Sequence, residues 1–186
     1  MKANLANTLT WIRIAAIPVI VYCFFSTIAF SRPIAAAVFG LAAITDLLDG
    51  YVARRLKQTS RFGEFLDPVA DKLMVAVTLV LLVQSDPRVV VALTAAVIIG
   101  REITVSGLRE WMASIGERAN VAVSQGGKVK TTLQMVGIGL MVYQQPALGL
   151  EIYEIGFVLL LIAAGMTLWS MIVYLRAAWP SMTSNS

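Results

Sequence analysis

The segment 45–72 contains four aspartates whose side chains and spacing would allow them to bind metal ions or transfer protons: Asp46, Asp49, Asp67 and Asp71. On an ideal helix the first two lie about 60° apart and the last two about 40° apart, so each pair shares a helix face. Antiparallel helices joined by a short connection can turn these faces together. Four carboxylates held close repel one another, so they either take up protons, as in a proton relay, or bind divalent cations.

The chain contains no histidine and a single cysteine, Cys23, among its 186 residues. The commonest general base and the commonest zinc ligand are therefore missing, and no disulfide can form within the chain. Any acid–base or metal chemistry must use carboxylates, which suit Mg²⁺ or Mn²⁺. Four carboxylates could hold two such ions, an arrangement known in phosphoryl chemistry.

Each aspartate also has a purely structural interpretation. Acids near a helix start are often caps, and Asp67 before Pro68 is a candidate N-cap. Acids beside arginines can form simple ion pairs at the membrane surface. Four aspartates at this spacing inside predicted membrane spans favour a functional role, because ionisable groups are costly there.

The composition predicts a membrane protein. Hydrophobic residues make up 58% of the chain and the mean hydropathy is +0.78, far above an ordinary soluble domain. The length favours one domain, residues 1–186, and each apolar segment is near the length that crosses ~30 Å of hydrocarbon as a helix. The sequence therefore predicts an all-α, polytopic fold with six transmembrane helices at 4–26, 34–55, 67–84, 88–112, 129–145 and 153–176.

Lysine and arginine are distributed unevenly between the two sets of connections. The positive-inside rule then places both termini and the aspartates on the cytoplasmic side. The net charge of +4 fits anionic lipid headgroups better than nucleic acid, because the bases lie beside hydrophobic segments. The richer set holds Lys2, Arg54, Arg55, Lys57, Arg61, Arg118, Lys128 and Arg176, against little beyond Arg32 and Arg88 in the other.

The segment resembles, without a departure, the signature of the CDP-alcohol phosphatidyltransferase family. Its spacing is Asp46-x2-Asp49-Gly50-x2-Ala53-Arg54-x8-Gly63-x3-Asp67-x3-Asp71, and eight fixed positions in 26 residues make a specific match. The resemblance implies that family's fold of six transmembrane helices, usually a homodimer. It also implies a reaction in which an alcohol displaces CMP from a CDP-linked lipid.

The resemblance implies a role for each position of the signature. The four aspartates would bind two divalent metal ions, and Asp71 would also be the general base that takes the proton of the attacking hydroxyl. The CDP site would be lined by Gly50, Ala53, Arg54 and Gly63. This agrees with the helix geometry, since Gly50 and Ala53 lie within about 40° of Asp46 and leave room for a ligand.

Two further stretches bear on the acceptor alcohol. "GREITVSGLREW" carries Arg101, Glu102 and Arg109, and "GGKVKTTLQM" carries Lys128 and Lys130, all at the depth of the aspartates. Arginines and lysines at such a depth require anionic partners and suit a phosphate on the acceptor. Structural alternatives are pairing of Arg101 with a metal-site aspartate or with Glu102, and contact of the lysines with lipid headgroups.

Together with "NLANTLTWIRIAAIPV", these stretches resemble the bacterial phosphatidylglycerophosphate synthase branch of the family. This likeness implies CDP-diacylglycerol and glycerol 3-phosphate as substrates, in the bacterial cytoplasmic membrane. It would assign the acceptor phosphate to Arg101, Arg109, Lys128 and Lys130. The residues Asn7, Thr10 and Arg13 match the branch's N-terminal pattern, and their roles stay open at this point.

Two other functions compete with this interpretation. A relative with a different acceptor is one, and inositol phosphate fits the basic cluster whereas serine, which carries no phosphate, does not. A divalent-cation or proton-coupled transporter is the other, since membrane acids would suit it. Against transport, the acids cluster toward one side of the membrane, and the sequence shows no inverted repeat.

Overall fold

The computed structural model is all-α and describes residues 5–56, 61–114, 125–147 and 149–183. Side chains are described for 10–45, 66–114, 129–147, 149–176 and 179. Within these ranges the chain forms six helices, which confirms the predicted fold class. They are α1 (Leu5–Phe25), α2 (Ser31–Leu56), α3 (Arg61–Ser85), α4 (Val89–Ser114), α5 (Gln125–Tyr143) and α6 (Ile152–Thr183).

The predicted start of the third helix was wrong. Helix α3 begins at Arg61, so Asp67 lies inside the helix, is not its N-cap, and Pro68 follows it in the helix interior. The polar stretch that was expected to belong to the connection 56–66 is helical from residue 61. Hydropathy marks where a helix meets lipid, whereas the backbone hydrogen bonds that define the helix continue into polar sequence.

Contacts near the helix ends show that neighbouring helices alternate in direction. The Arg32 guanidinium at the start of α2 lies 3.8 Å from the centre of the Phe24 ring at the end of α1. The start of α4 meets the start of α6, because Arg88 beside α4 lies 3.1 Å from Glu154. We call this end of the bundle, with Phe24, Arg32, Asp86, Arg88, Tyr153 and Glu154, the far end.

At the opposite end, which we call the site end, side chains of α3 and α5 reach the second half of α4, and α1 contacts α3. Lys72 in α3 donates a hydrogen bond of 2.6 Å to the Ser106 hydroxyl in α4. Lys130 in α5 interacts electrostatically with Arg101, Glu102 and Arg109 of α4. The site end thus gathers Thr10, Arg13, Asp67, Asp71, Lys72, Arg101, Glu102, Ser106, Arg109 and Lys130.

The interior and the exterior of the bundle are both apolar. Fully buried side chains such as Ile20, Phe39, Leu82 and Ile138 form the core. Large apolar groups are also exposed, as in a protein surrounded by lipid: Trp11, Tyr22, Leu41, Leu93, Ile103 and Trp169. Among the described residues, Val89–Ser114 and Ile152–Arg176 are long and apolar enough to cross a membrane, and Thr10–Phe25 and Ser31–Thr45 are shorter apolar helices.

Helices α5 and α6 pack so closely that their backbones touch. A Cβ atom on Gly156 would lie 2.7 Å from the Gly137 carbonyl oxygen, and one on Gly137 would lie 2.9 Å from the Gly156 carbonyl oxygen. Real Cβ atoms do not approach backbone this closely, so both positions require glycine. Small residues at a helix crossing permit this approach in membranes, where close packing is a main source of association energy.

We expect Gly156→Ala to lower the free energy of unfolding by about 1–3 kcal/mol, as overpacking typically does. The matched control is Gly165→Ala in the same helix, where an added Cβ meets nothing within 4 Å. The free energy of unfolding of that variant should be unchanged or higher by up to about 1 kcal/mol, because alanine has a higher helix propensity than glycine. Unfolding of both variants in detergent, followed by circular dichroism, checks this, and equal stabilities would contradict the close α5–α6 crossing.

Asp86 is the centre of a polar network at the far end. Arg88 Nη2 lies 2.8 Å from Asp86 Oδ2, and the Tyr153 hydroxyl donates to the same carboxylate. Burial alone would raise the pKa of Asp86, but hydrogen bonds from Arg88 and Tyr153 outweigh it and hold the pKa below its ordinary 3.8. The network joins the α3–α4 connection to α6.

Because the pKa of Asp86 is lowered on folding, its ionised form contributes stability above pH 3.8 that is lost as the pH falls through the folded-state value. We therefore expect Asp86→Asn to melt below the wild type at pH 6, with a difference that shrinks below pH ~4. Melting curves of both proteins across this range measure the effect. A difference that stays constant with pH would contradict the role of the charge.

Candidate active site

Helices α1 and α3 are joined at the site end by two side-chain contacts to aspartates. The Thr10 hydroxyl donates to Asp67 Oδ1, and Arg13 Nη1 donates to Asp71 Oδ1. The donors are three residues apart on α1 and the acceptors four apart on α3, about one helical turn in each case. The earlier residue of α1 contacts the earlier residue of α3 and the later contacts the later, so α1 and α3 run in the same direction.

The α1 residues on this face are buried completely. Thr10 and Arg13 have no exposed surface, whereas Trp11 and Ile12 between them are about half exposed and face outward. The Asp71 side chain is 30% exposed, in contrast to its fully buried partner Arg13. Both aspartates are therefore bonded to buried side chains of α1, and Asp71 remains partly exposed.

The other positions of the signature lie outside the described side chains. Helix α2 starts at the far end, so its second half runs back toward the site end. That half carries Asp46 and Asp49, and the structure says nothing of their side chains. The same holds for the remaining signature positions, Gly50, Ala53, Arg54 and Gly63.

Asp67 and Asp71 suit a hard divalent cation as a donor set. Both offer only carboxylate oxygens, the ligands that Mg²⁺ and Mn²⁺ prefer, and they lie one helical turn apart. Among the described residues no group of three or more His, Cys, Asp or Glu side chains comes together.

A cluster of charged side chains from α4 and α5 lies at the same end. Arg101 Nη1 donates to Glu102 Oε1 at 2.5 Å, which is the pairing expected from the sequence as a structural alternative. Lys130 is only 4% exposed although it is charged. The Arg109 guanidinium lies 5.7 Å from the centre of the Tyr174 ring of α6.

The cluster has more positive than negative charge. Arg101, Arg109 and Lys130 contribute three positive charges and Glu102 one negative charge, which leaves a surplus of two among these residues. In addition, the buried Arg101 Nε has no hydrogen-bond partner within the part of the chain that the structure describes. Both features suit an anionic ligand, since buried cations and donors require partners. The side chain of Lys128, also expected here, is outside the described residues.

Sequence reasoning missed Lys72. Its ammonium group donates to the Ser106 hydroxyl, which in turn donates to the Glu102 carbonyl oxygen in α4. This chain of bonds connects the helix of the aspartates to the helix of the cationic cluster. The available signal in the sequence was the position of Lys72 directly after Asp71. Lys72 lies between the fixed positions of the signature and the basic stretches, so neither pattern includes it.

A known protein family matches most of this chain. The sequence model of a family described as CDP-alcohol phosphatidyltransferase matches residues 3–173. This chain belongs to the CDP-alcohol phosphatidyltransferase family. Members of the family generally use divalent metals, and both the family and the apolar helices make this a membrane protein.

Curated relatives are similar over nearly the whole chain. A protein of Pseudomonas fluorescens is 49% identical over 183 residues, covering 98% of this chain and 93% of the relative. One of Yersinia enterocolitica is 49% identical with 98% of each covered, and one of Haemophilus influenzae is 47% identical with 100% and 98% covered. All three relatives are named CDP-diacylglycerol–glycerol-3-phosphate 3-phosphatidyltransferase.

Proposed function

We propose that this family member transfers the phosphatidyl group of CDP-diacylglycerol to sn-glycerol 3-phosphate. The products are phosphatidylglycerol phosphate and CMP, and the reaction belongs to phospholipid biosynthesis. One structural observation carries the choice of acceptor: the cationic cluster of Arg101, Arg109 and Lys130 lies at the same end as Asp67 and Asp71. The names of the relatives support the same reaction.

The aspartates would hold the divalent cations in this proposal. Asp67 and Asp71 from α3, with Asp46 and Asp49 from α2, supply oxygen ligands for two Mg²⁺ or Mn²⁺ ions. The cations would supply charge stabilisation for the diphosphate and for the departing CMP. The signature residues Gly50, Ala53, Arg54 and Gly63 would line the CDP site.

The chemical step is a direct displacement at the phosphorus atom that bears the diacylglycerol. The acceptor hydroxyl forms a bond to that phosphorus, the bond to the CMP oxygen breaks, and CMP leaves with the electron pair. Asp71 accepts the hydroxyl proton as general base. The absence of histidine and the burial of Cys23 favour this single displacement over a covalent enzyme intermediate.

The acceptor phosphate would be bound by Arg101, Arg109, Lys128 and Lys130. Without Lys128, the surplus of two positive charges described for the cluster is close to the charge of a phosphate monoester, which is about −1.5 to −2 at neutral pH. The unpartnered Arg101 Nε is a donor suited to a phosphate oxygen. An inositol phosphate acceptor would satisfy the same charges, and the names of the relatives favour glycerol 3-phosphate.

The proposal extends to placement in the membrane. The alternating helices of a single domain, 1–186, would cross the bacterial cytoplasmic membrane six times, with both termini and the site end in the cytoplasm. The excess of lysine and arginine in the connections at that end supports this orientation. A homodimer is the expected assembly, and no described contact bears on it.

We expect purified protein in detergent to release CMP from CDP-diacylglycerol when Mg²⁺ and glycerol 3-phosphate are both present. Chelation of the metal should abolish release, and added Mn²⁺ or Mg²⁺ should restore it. Asp71→Asn should lower kcat by at least about 10²-fold, because a general base contributes about 10²–10⁴-fold. Inositol phosphate and serine, assayed in parallel, should give no release.

Each alternative outcome has a distinct meaning. Release with inositol phosphate alone would keep the metal mechanism and overturn the assignment of the acceptor. No release with any acceptor from protein shown to be folded would contradict the enzymatic function and favour transport.

The cationic cluster leads to a separate prediction about binding of the acceptor. We expect Lys130→Met to raise the KM for glycerol 3-phosphate about tenfold or more, because a hydrogen bond to a charged group contributes about 1.5–3 kcal/mol. The KM for CDP-diacylglycerol should change little. Arg88→Gln at the far end is the matched control and should leave both constants near those of the wild type. Equal changes in both KM values would argue against an acceptor site.

A further inference from the structure

Thr10 and Arg13 are two fully buried polar residues of α1 that the proposed reaction does not use. Each bonds one oxygen of a carboxylate from α3, Thr10 that of Asp67 and Arg13 that of Asp71. The matched spacing on the two helices lets both contacts form at once. Two separate α1 side chains thus contact the two described aspartates that the proposed function assigns to the metals.

The Thr10 contact differs from other threonine contacts in this chain. Thr78, Thr94 and Thr104 each donate to the backbone carbonyl four residues earlier in their own helix. This is the ordinary arrangement of a helical threonine, and it fixes no other element. The Thr10 hydroxyl reaches across to a carboxylate on another helix, where a donor restricts the rotation of the acid.

The Arg13 contact is also more than surface pairing. A buried guanidinium is strongly unfavourable unless an opposite charge meets it, so this pair fixes both partners in place. Exposed ion pairs such as Arg88 with Glu154 impose far less order on their side chains. The partly exposed side chain of Asp71 is therefore held by a fully buried partner.

We propose that Thr10 and Arg13 are positioning residues that orient the carboxylates of Asp67 and Asp71 for divalent-cation binding. The inference rests on the proposed function, because it takes these aspartates to be metal ligands. Donors that hold a metal-ligating carboxylate typically influence metal affinity 10–100-fold when they are removed. Helix α1 would thereby be part of the metal site through two residues that are not themselves ligands.

Mn²⁺ binding to the purified full-length protein, without substrates, tests this directly. Electron paramagnetic resonance of free Mn²⁺ gives the dissociation constant for wild type, Thr10→Val and Thr10→Ser. We expect Thr10→Val, which keeps the shape and removes the donor, to raise the constant about tenfold or more. Thr10→Ser, which restores the hydroxyl, should return it to near the wild-type value.

Arg13→Gln and Arg13→Lys test the second contact in the same assay. Loss of the guanidinium in Arg13→Gln should raise the Mn²⁺ dissociation constant about tenfold. Arg13→Lys keeps the positive charge without the planar guanidinium, so its Mn²⁺ dissociation constant should lie between those of Arg13→Gln and the wild type. A lower Mn²⁺ dissociation constant in Arg13→Gln would show that the Arg13 guanidinium competes with the metal ion for Asp71. That result would overturn the positioning role of Arg13.

Kinetics supply an independent measure. In both Thr10→Val and Arg13→Gln the Mn²⁺ concentration for half-maximal CMP release should rise, while the KM for CDP-diacylglycerol at saturating Mn²⁺ stays unchanged. A raised KM for CDP-diacylglycerol with unaltered Mn²⁺ affinity would instead make these residues substrate contacts and overturn the inference.

The remaining outcomes are also decisive. Wild-type protein that binds no Mn²⁺ would contradict the proposed metal site itself. If the wild type binds Mn²⁺ and the variants bind it with the same dissociation constant, only the positioning role would be contradicted. If Thr10→Val failed to fold while Thr10→Ser folded, as judged by melting and size exclusion, the hydroxyl would serve helix packing, and the role at the metal site would be overturned.

Discussion

Charged side chains among apolar helices must be paired, and this constraint shapes both ends of the bundle. Moving an ion out of water costs several kcal/mol unless an opposite charge or a donor meets it. Arg13 meets Asp71 at one end, and Arg88 meets Asp86 and Glu154 at the other. Because Arg13 and Asp71 lie on different helices, that pair also fixes the relative placement of α1 and α3, whereas the exposed Arg88–Glu154 contact only links the start of α4 to the start of α6.

The two ends nevertheless balance their charge differently. At the far end Arg88 has two acidic partners and the Tyr153 hydroxyl completes the network. At the site end the cluster around Arg101 and Lys130 keeps an excess of positive charge and one buried donor without a partner. The buried Arg32 Nη1 at the far end also lacks a hydrogen-bond partner among the described residues, so the excess of positive charge, rather than the unpartnered donor, distinguishes the site end and suits an anionic ligand.

Close packing between α5 and α6 positions part of this site. Gly137 and Gly156 bring the two backbones into contact, and Lys130 lies two turns before Gly137 on α5. A helix held this tightly cannot rotate or slide without a steric clash. The buried Lys130 is therefore carried on a helix whose position is set by close packing against α6.

The sequence by itself determined the helical class, the approximate helix positions and the family, because hydrophobic segments and a signature with fixed spacing are local properties of the chain. It did not determine where α3 begins, since hydropathy ends at Asp67 while the helix starts at Arg61. Only the tertiary structure showed that Thr10 meets Asp67, that Lys72 reaches Ser106 and that Gly137 meets Gly156. Each of these depends on which helix faces turn together, and that is decided by packing between segments far apart in the chain.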